Sequence, residues 1–356
     1  MKRVTIDDVA RHAGVSVGTV SAVLNQKQTV NRKTRDSVLH SIKELNYRPS
    51  GIARNIRAVA GDFTTIGLLI REMDNPFYTE IARGVMAYCM EKNYIVFLAS
   101  SESDHNYSER ITQSFTNQNI KGAIIAPVLE GTAEIDHLFA LKKINFPFVL
   151  LENVNGIQAN VVSIDNIKAM KDTVKYLTDT GHTKIIHFAG PKHAYHAYER
   201  IDGFRLAFSE SPFVFSNDMI IPAGARLEDG YQTCLDYFKN RSRINFPDAI
   251  VCYNDLVAHG VITALGELHI KVPEEISVVG NDDILFSKCA RMKLTTIHAP
   301  MQELGRKSAE ILIRNIESPN TLPVEKIVMH GRLVVRETTC VKNQVGLKHE
   351  LNSKTV

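Results

Sequence analysis

Two rhythms of apolar residues divide the chain near residue 60. Before that point apolar positions recur every three or four residues. Ile6, Val9, Ala10 and Ala13 share one face of a predicted helix. The preceding Thr5-Ile6-Asp7-Asp8 has the form of a capping box, in which a Thr oxygen accepts from an early helical N–H and an acidic side chain reaches back. Gly14 is the predicted stop, because glycine tolerates the left-handed conformation that ends helices. Ser16 is placed to cap a second helix whose Val20, Val23 and Leu24 face inward. Asn31 is placed to cap a third over Arg32 to Leu45, with Val38, Ile42 and Leu45 along one side. Two short helices joined by a tight glycine-containing turn, with a third behind them, describe a helix-turn-helix.

From Thr65 onward short continuous apolar runs alternate with longer amphipathic stretches. Residues 66–70, 95–98, 122–125, 148–151, 185–188, 249–252 and 277–280 read as buried strands, and Phe77 to Lys92 reads as a helix. Strands alternating with helices imply doubly wound parallel sheets. Eight or more strands over this length imply two sheets, hence two lobes. Ligands of such folds sit beyond the carboxyl ends of the strands, and a cleft between lobes gathers those ends.

Charge sharpens the division. Residues 1–60 hold eleven Lys/Arg against four Asp/Glu, whereas the rest holds 31 against 35. A basic head on a mildly acidic body points to a polyanionic partner for the head alone. The second helix can then enter a major groove while amides and basic side chains hold phosphates. The five cysteines are scattered without metal-ligand spacing and read as buried hydrophobes in a reducing cytosol, which makes the expected location cytoplasmic. No apolar run approaches the roughly 18 residues of a membrane helix, and the opening Met1-Lys2-Arg3 lacks the apolar core of a secretion signal.

The residues themselves carry a resemblance. Val4 to Ala10, Ala13-Gly14-Val15-Ser16, Thr19-Val20-Ser21, Val23-Leu24-Asn25 and Lys43 to Tyr47 closely resemble the head of the LacI/GalR family of bacterial repressors, and Pro49-Ser50 with Ala53-Arg54 resembles that family's hinge. The resemblance implies that Val17, Gly18 and Ala22 face base edges. These side chains cannot make the bidentate hydrogen bonds that read guanine or adenine. Specificity is therefore expected from DNA deformation and the hinge. Thr5, Ser16, Thr19, Ser21, Asn25 and Thr34 suit contacts that fix the head on the duplex, most of them to phosphate. Ser50, Ala53, Arg54, Ile56 and Arg57 belong to the hinge, where the resemblance makes Ile56 the wedge inserted at a minor-groove step.

The likeness continues through Asp74 to Tyr78, Val162 to Asn166, Gly190-Pro191, Arg200 to Phe204, Asn254-Asp255, Gly280 to Asp283 and Leu294 to Ile297, which resemble a periplasmic sugar-binding-protein fold joined to the head. It implies a helix-turn-helix domain over 1–49, a hinge and linker over 50–61, an effector-binding and dimerisation domain over 62–341, and a disordered tail over 342–356. The chain is expected to cross between lobes near 163, 293 and 329, giving one lobe of 62–162 and 294–328 and another of 164–292 and 330–341. Matched positions place Phe77, Tyr78, Glu152, Tyr195, His196, Arg200, Asn254 and Asp282 in the effector cleft, with Tyr195, His196 and Tyr198 in the loop before Arg200. Arg200 would be a forked donor and Asp282 an acceptor. The competing reading of those two is an ion pair across the cleft. Asp202, Asp255 and Asp283 read better as cap or turn residues.

The expected function is a regulator, by the family's usual outcome a repressor, that binds a near-palindromic operator in double-stranded DNA as a homodimer. A small molecule, a sugar or sugar derivative, would control it by binding one lobe arrangement better than the other. A purine or nucleoside effector is the alternative. A sugar-transport receptor would share the body but lack the basic head. An enzyme is not expected, since no nucleophile elbow, phosphate-binding glycine loop or metal-ligand spacing is present. No cofactor, catalytic residue, metal ligand or membrane partner follows from the sequence.

Overall fold

The computed structural model describes residues 5–24, 30–45, 64–118, 120–128, 135–192, 194–319 and 322–342. The chain divides into two units, residues 1–63 and 64–356. The hinge residues expected over 50–61 lie outside the described residues, as does the expected tail except Lys342. That residue is anchored, its Nζ donating to the carbonyls of Pro273, Glu274 and Glu275 at 3.2, 3.0 and 3.0 Å.

The smaller unit holds α1 (Ile6–Ala13), α2 (Val17–Leu24) and α3 (Arg32–Glu44). The Thr5 side chain accepts from the Asp8 amide while the Asp8 carboxylate accepts from the Thr5 amide at 2.8 Å, so the capping box forms in both directions. Gly14 ends α1 at φ 66°, in the left-handed region that favours glycine. Ser16 accepts from the Thr19 amide at 3.1 Å and Asn31 from the Thr34 amide at 2.8 Å. Val9, Ala10, Val20, Val23 and Val38 form the core that the helical periodicity predicts. The periodicity does not reveal Ser41, buried on α3 and bonded to His12 Nδ1 at 3.0 Å.

The larger unit is built on two six-stranded sheets. The first uses β1 (Thr64–Ile70), β2 (Tyr94–Ser100), β3 (Ala123–Ile125), β4 (Phe148–Leu150), β5 (Asn160–Ile164) and β11 (Lys326–Met329), in the order β11-β5-β4-β3-β1-β2. Every pair in it is parallel. The second uses β6 (Ile185–Ala189), β7 (Ile220–Pro222), β8 (Ala249–Cys252), β9 (Ser277–Asp282), β10 (Thr295–His298) and β12 (Arg332–Val334), in the order β12-β10-β9-β8-β6-β7. It is parallel except for β12, which pairs antiparallel with β10.

Helices cover both faces of each sheet, which is why the inner strands β1, β3, β4, β8 and β9 are buried along nearly their whole length, whereas the edge strands β2 and β11 alternate. On the first sheet α4 (Pro76–Glu91) and α12 (Met301–Glu317) pack over Ile66, Leu68 and Ile124. The opposite face, with Leu69 and Ile125, is covered by α5 (His105–Asn117) and α6 (Asp136–Lys143). On the second sheet α9 (Leu227–Phe238) and α10 (Asp255–Glu267) cover one face, and α7 (Asn166–Asp179) and α8 (Tyr195–Ser209) the other. The short α11 (Leu285–Cys289) follows β9.

Chain crossings between the sheets fall between β5 and α7, between β10 and α12, and between β11 and β12. The second differs from the expected crossing near 293. Residues 294–298, expected in the first lobe, belong to the second, because Thr295 to His298 pair with Val279 to Asp282 and Leu294 is buried in that lobe's core. Among the described residues no helix is long and apolar enough to cross a membrane.

Candidate functional site

Between the two lobes lies a narrow cleft, partly open to solvent. Its walls come from the carboxyl ends of strands in both sheets, as the fold class predicts. Arg71 follows β1 and Glu152 follows β4 shortly after its end, both from the first lobe. Tyr253 and Asn254 follow β8, and Asp282 ends β9, from the second. Phe77, Tyr78, Ala126, Leu151, Pro191 and Leu304 supply apolar surface.

One polar chain spans the lobes. The Arg71 guanidinium donates to Glu152 and, from Nε and Nη2, to the Pro127 carbonyl at 3.0 and 2.6 Å. The second Glu152 oxygen lies 2.7 Å from His196 Nδ1, and His196 Nε2 meets the Tyr253 hydroxyl. Burial lowers the His196 pKa to about 4 against the opposing pull of Glu152, so the ring is neutral near pH 7. The same Nδ1 also lies 3.2 Å from Arg71 Nη1, so the His196 ring joins Arg71, Glu152 and Tyr253. Burial pushes the Glu152 carboxyl up, but Arg71 and the His196 bond outweigh it and hold it below the ordinary value. The His196 and Tyr253 rings stack with centroids 5.5 Å apart, and the Arg200 guanidinium lies 4.8 Å from the Tyr253 centroid.

Arg200, on α8, donates from Nε to Asn166 Oδ1 at 3.0 Å and from Nη1 to the Tyr253 carbonyl. Its Nη2 lies 3.8 Å from Asp282 Oδ1. This ion pair lies inside the second lobe, not across the cleft. Burial raises the Asp282 pKa to about 7 despite Arg200. Asp282 and Asp283 adopt φ of 132° and 62°, a left-handed pair whose strain is of order 1–3 kcal/mol per residue. Asp283 is held there by Arg336 at 2.5 Å, His298 at 2.9 Å and Lys288 at 3.3 Å.

Of the expected cleft residues, Phe77, Tyr78, Glu152, His196, Arg200, Asn254 and Asp282 line it together. Tyr195 is not among the lining residues, and it begins α8 with His196 and Tyr198 rather than lying in a loop. Asn254 is committed at both ends, capping α10 through the Val257 amide at 2.8 Å and donating to the Ala225 carbonyl at 2.8 Å. Asp255 is a buried acceptor for the Ile284 amide, Ser287 and Thr296.

Sequence reasoning missed Arg71, Asn166 and Tyr253 as cleft residues. Each follows a strand directly or within two residues, and that position was the available signal.

In the smaller unit Ser16, Val17 and Gly18 are exposed at the start of α2, while Thr19, Ser21, Ala22 and Thr34 are half-buried. Thr5 is exposed and serves as the α1 cap, and the Ser16 hydroxyl also bonds Thr19 Oγ1 at 2.9 Å. Asn25, Ser50, Ala53, Arg54, Ile56 and Arg57 lie outside the described residues.

Residues 5–50 match the model for bacterial regulatory proteins of the lacI family, and residues 174–339 match a periplasmic binding protein-like domain. The HTH-type transcriptional repressor PurR of Vibrio vulnificus is 31% identical over 337 residues, covering 94% of this chain and 98% of the relative. Among solved structures, the transcriptional regulator CelR–cellobiose complex superposes with TM-score 0.68 at 28% identity, covering 94% of this chain and all of that one. The lac repressor dimer bound to operator and the anti-inducer ONPF superposes with TM-score 0.67 at 26% identity, covering 95% and 100%. A basic three-helix head, two wound lobes around a cleft and nearly complete coverage converge: the chain belongs to the LacI family of bacterial DNA-binding transcription repressors.

Proposed function

We propose that the chain represses transcription as a homodimer on a near-palindromic operator, and that a sugar or sugar derivative in the interlobe cleft sets its affinity for that DNA. The observation that carries the effector half is the pairing of a forked donor, Arg200, with a carboxylate, Asp282, at the end of a cleft walled by apolar groups. Adjacent hydroxyls both donate and accept, and this pair offers both complements. The cellobiose complex of a structural relative supports the same reading. The head would reach the major groove through the exposed start of α2, with Ile56 wedging the minor groove. Because both lobes contribute to the cleft, a ligand that favours one lobe arrangement shifts the DNA equilibrium by its differential affinity and no more.

A purine or nucleoside is the second reading, favoured by the Phe77 ring in the cleft wall. The faces of Tyr253 offer it less, since His196 stacks on that ring and Arg200 lies close to it.

A thermal-shift screen of the full chain against sugars and nucleosides identifies the effector class, since a ligand that binds only the folded state stabilises it by mass action. Selection of duplexes from a random pool, with and without the hit, then tests the regulator. Recovery of a symmetric site whose retention changes with the hit is the expected result. Failure to retain any duplex at low ionic strength refutes the proposal. Ile56→Ala should weaken specific binding much more than nonspecific binding.

A further inference from the structure

Arg71 is an unusual wall for a sugar site: a buried guanidinium reaching the cleft from the end of β1, where a ligand carboxylate or phosphate would find a strong partner. That partner is already present. Glu152 is buried beside it, binds it directly, and is fixed from the other side by His196 at 2.7 Å. The cleft's other guanidinium, Arg200, faces Asp282 at 3.8 Å. Glu72 also lines the cleft. Arg71 is thus matched by a carboxylate of the wall itself, whereas Arg200 donates to Asn166 and the Tyr253 carbonyl. An anionic group added at the Arg71 side of the cleft would lie beside Glu152, with Glu72 also in the wall, and would find Arg71 already compensated, at low dielectric where such repulsion is strong.

We propose that Glu152 is a built-in substitute for a ligand carboxylate: by occupying Arg71 it closes that position to the carboxylate or phosphate of a charged effector and favours an uncharged group there. The proposal rests on the cleft being the effector site and assigns Glu152 as its specificity determinant. Glu152 acts on the ligand's charge through Arg71, without requiring contact with the ligand's hydroxyls.

The test is an unmasking experiment on the full chain at pH 7.5 and constant ionic strength. Glu152→Ala vacates the carboxylate position and leaves Arg71 unmatched. Its melting temperature should fall below that of the unsubstituted protein and rise by about 2 °C with acetate at several times its dissociation constant. Acetamide, with the same shape and no charge, should produce no rise. The unsubstituted protein should ignore both, and an Arg71→Met/Glu152→Ala double variant should lose the acetate response. D-galacturonate against D-galactose repeats the comparison at ligand size. Should Glu152→Ala not fold, Glu152→Ser keeps a small polar group while leaving the carboxylate position vacant and should show the same order of acetate over acetamide. An equal acetate response from the unsubstituted protein overturns the proposal, because Arg71 is then not masked. Absence of an acetate response in both variants overturns it too. Operator retention by the unsubstituted protein is read separately, so failure of the regulator reading and failure of the masking remain distinguishable.

Discussion

Replacing Asp282 by Asn should stabilise the body increasingly as pH rises from 4.5 to 7.5, while weakening its response to effector. The carboxyl is buried at the cleft, with Arg200 Nη2 at 3.8 Å, beyond hydrogen-bonding reach, and a single donated bond from Asn281 Nδ2 at 2.9 Å. Burial dominates, opposed by Arg200 and reinforced by Asp255, and the pKa rises from 3.8 to about 7. Between those values the unfolded chain has released this proton and the folded chain retains it. Stability is therefore lost as pH rises through the window, at up to about 1.4 kcal/mol per pH unit, and the loss stays constant above it. Asn is neutral in both states and escapes the loss. The variant should lie within about 1 kcal/mol of the parent at pH 4.5 and exceed it by roughly 2–4 kcal/mol at pH 7.5. Urea unfolding of the full chain, followed by tyrosine fluorescence, measures the difference. The chain has no Trp, and every Tyr except Tyr47 follows residue 63. Arg200→Met should act oppositely, because it removes the bonds to Asn166 and the Tyr253 carbonyl and leaves the burial of Asp282 unopposed, pushing that pKa further up. A stability difference between Asp282→Asn and the parent that stays flat or shrinks across this range would refute the reasoning.

Helix packing and capping give two further expectations. A Cβ on Gly84 would stand 2.0 Å from the Gln302 carbonyl oxygen, where α4 crosses α12, whereas one on Gly266 in α10 meets nothing within 4 Å. Gly84→Ala should destabilise by about 1–2 kcal/mol net, as overpacking exceeds the helix-propensity gain, and Gly266→Ala should stabilise by roughly 0.5–1 kcal/mol; urea midpoints moving in the same direction would contradict this. Thr5→Ala removes one half of the α1 capping box and should cost about 1 kcal/mol, seen as roughly five-fold faster amide exchange in α1. Unchanged exchange would show that the box contributes nothing there.

The architecture is legible where it depends on local periodicity. The core of Val9, Val20, Val23 and Val38 follows from helical spacing, and the buried strands follow from unbroken apolar runs covered on both faces. Partnership over distance is less legible. Arg71 sits in the polar stretch Arg71-Glu72-Met73-Asp74, which reads as a solvated loop; its burial depends on Pro127 and Glu152, which periodicity cannot connect to it. Tyr253, just after β8, is hidden for the same reason, since its hydroxyl is satisfied by His196 from α8. Asn254 carries a second role that its type does not announce: it lines the cleft and also caps α10 while donating to the Ala225 carbonyl. The crossing assigned near 293 misplaced a run whose β-branched residues pair with β9.

These cases share a cause that bears on ligand recognition. A cleft residue named by type alone counts every charge as available, whereas the structure first matches charges within the wall. With Arg71 matched by Glu152, Arg200 Nη2 and Asp282, 3.8 Å apart, stand side by side in the cleft as a donor and an acceptor toward a ligand. A vicinal pair of hydroxyls complements such an arrangement, one accepting from the guanidinium and the other donating to the carboxylate. The selectivity of the cleft accordingly resides less in which polar residues it contains than in which of them the fold leaves unmatched.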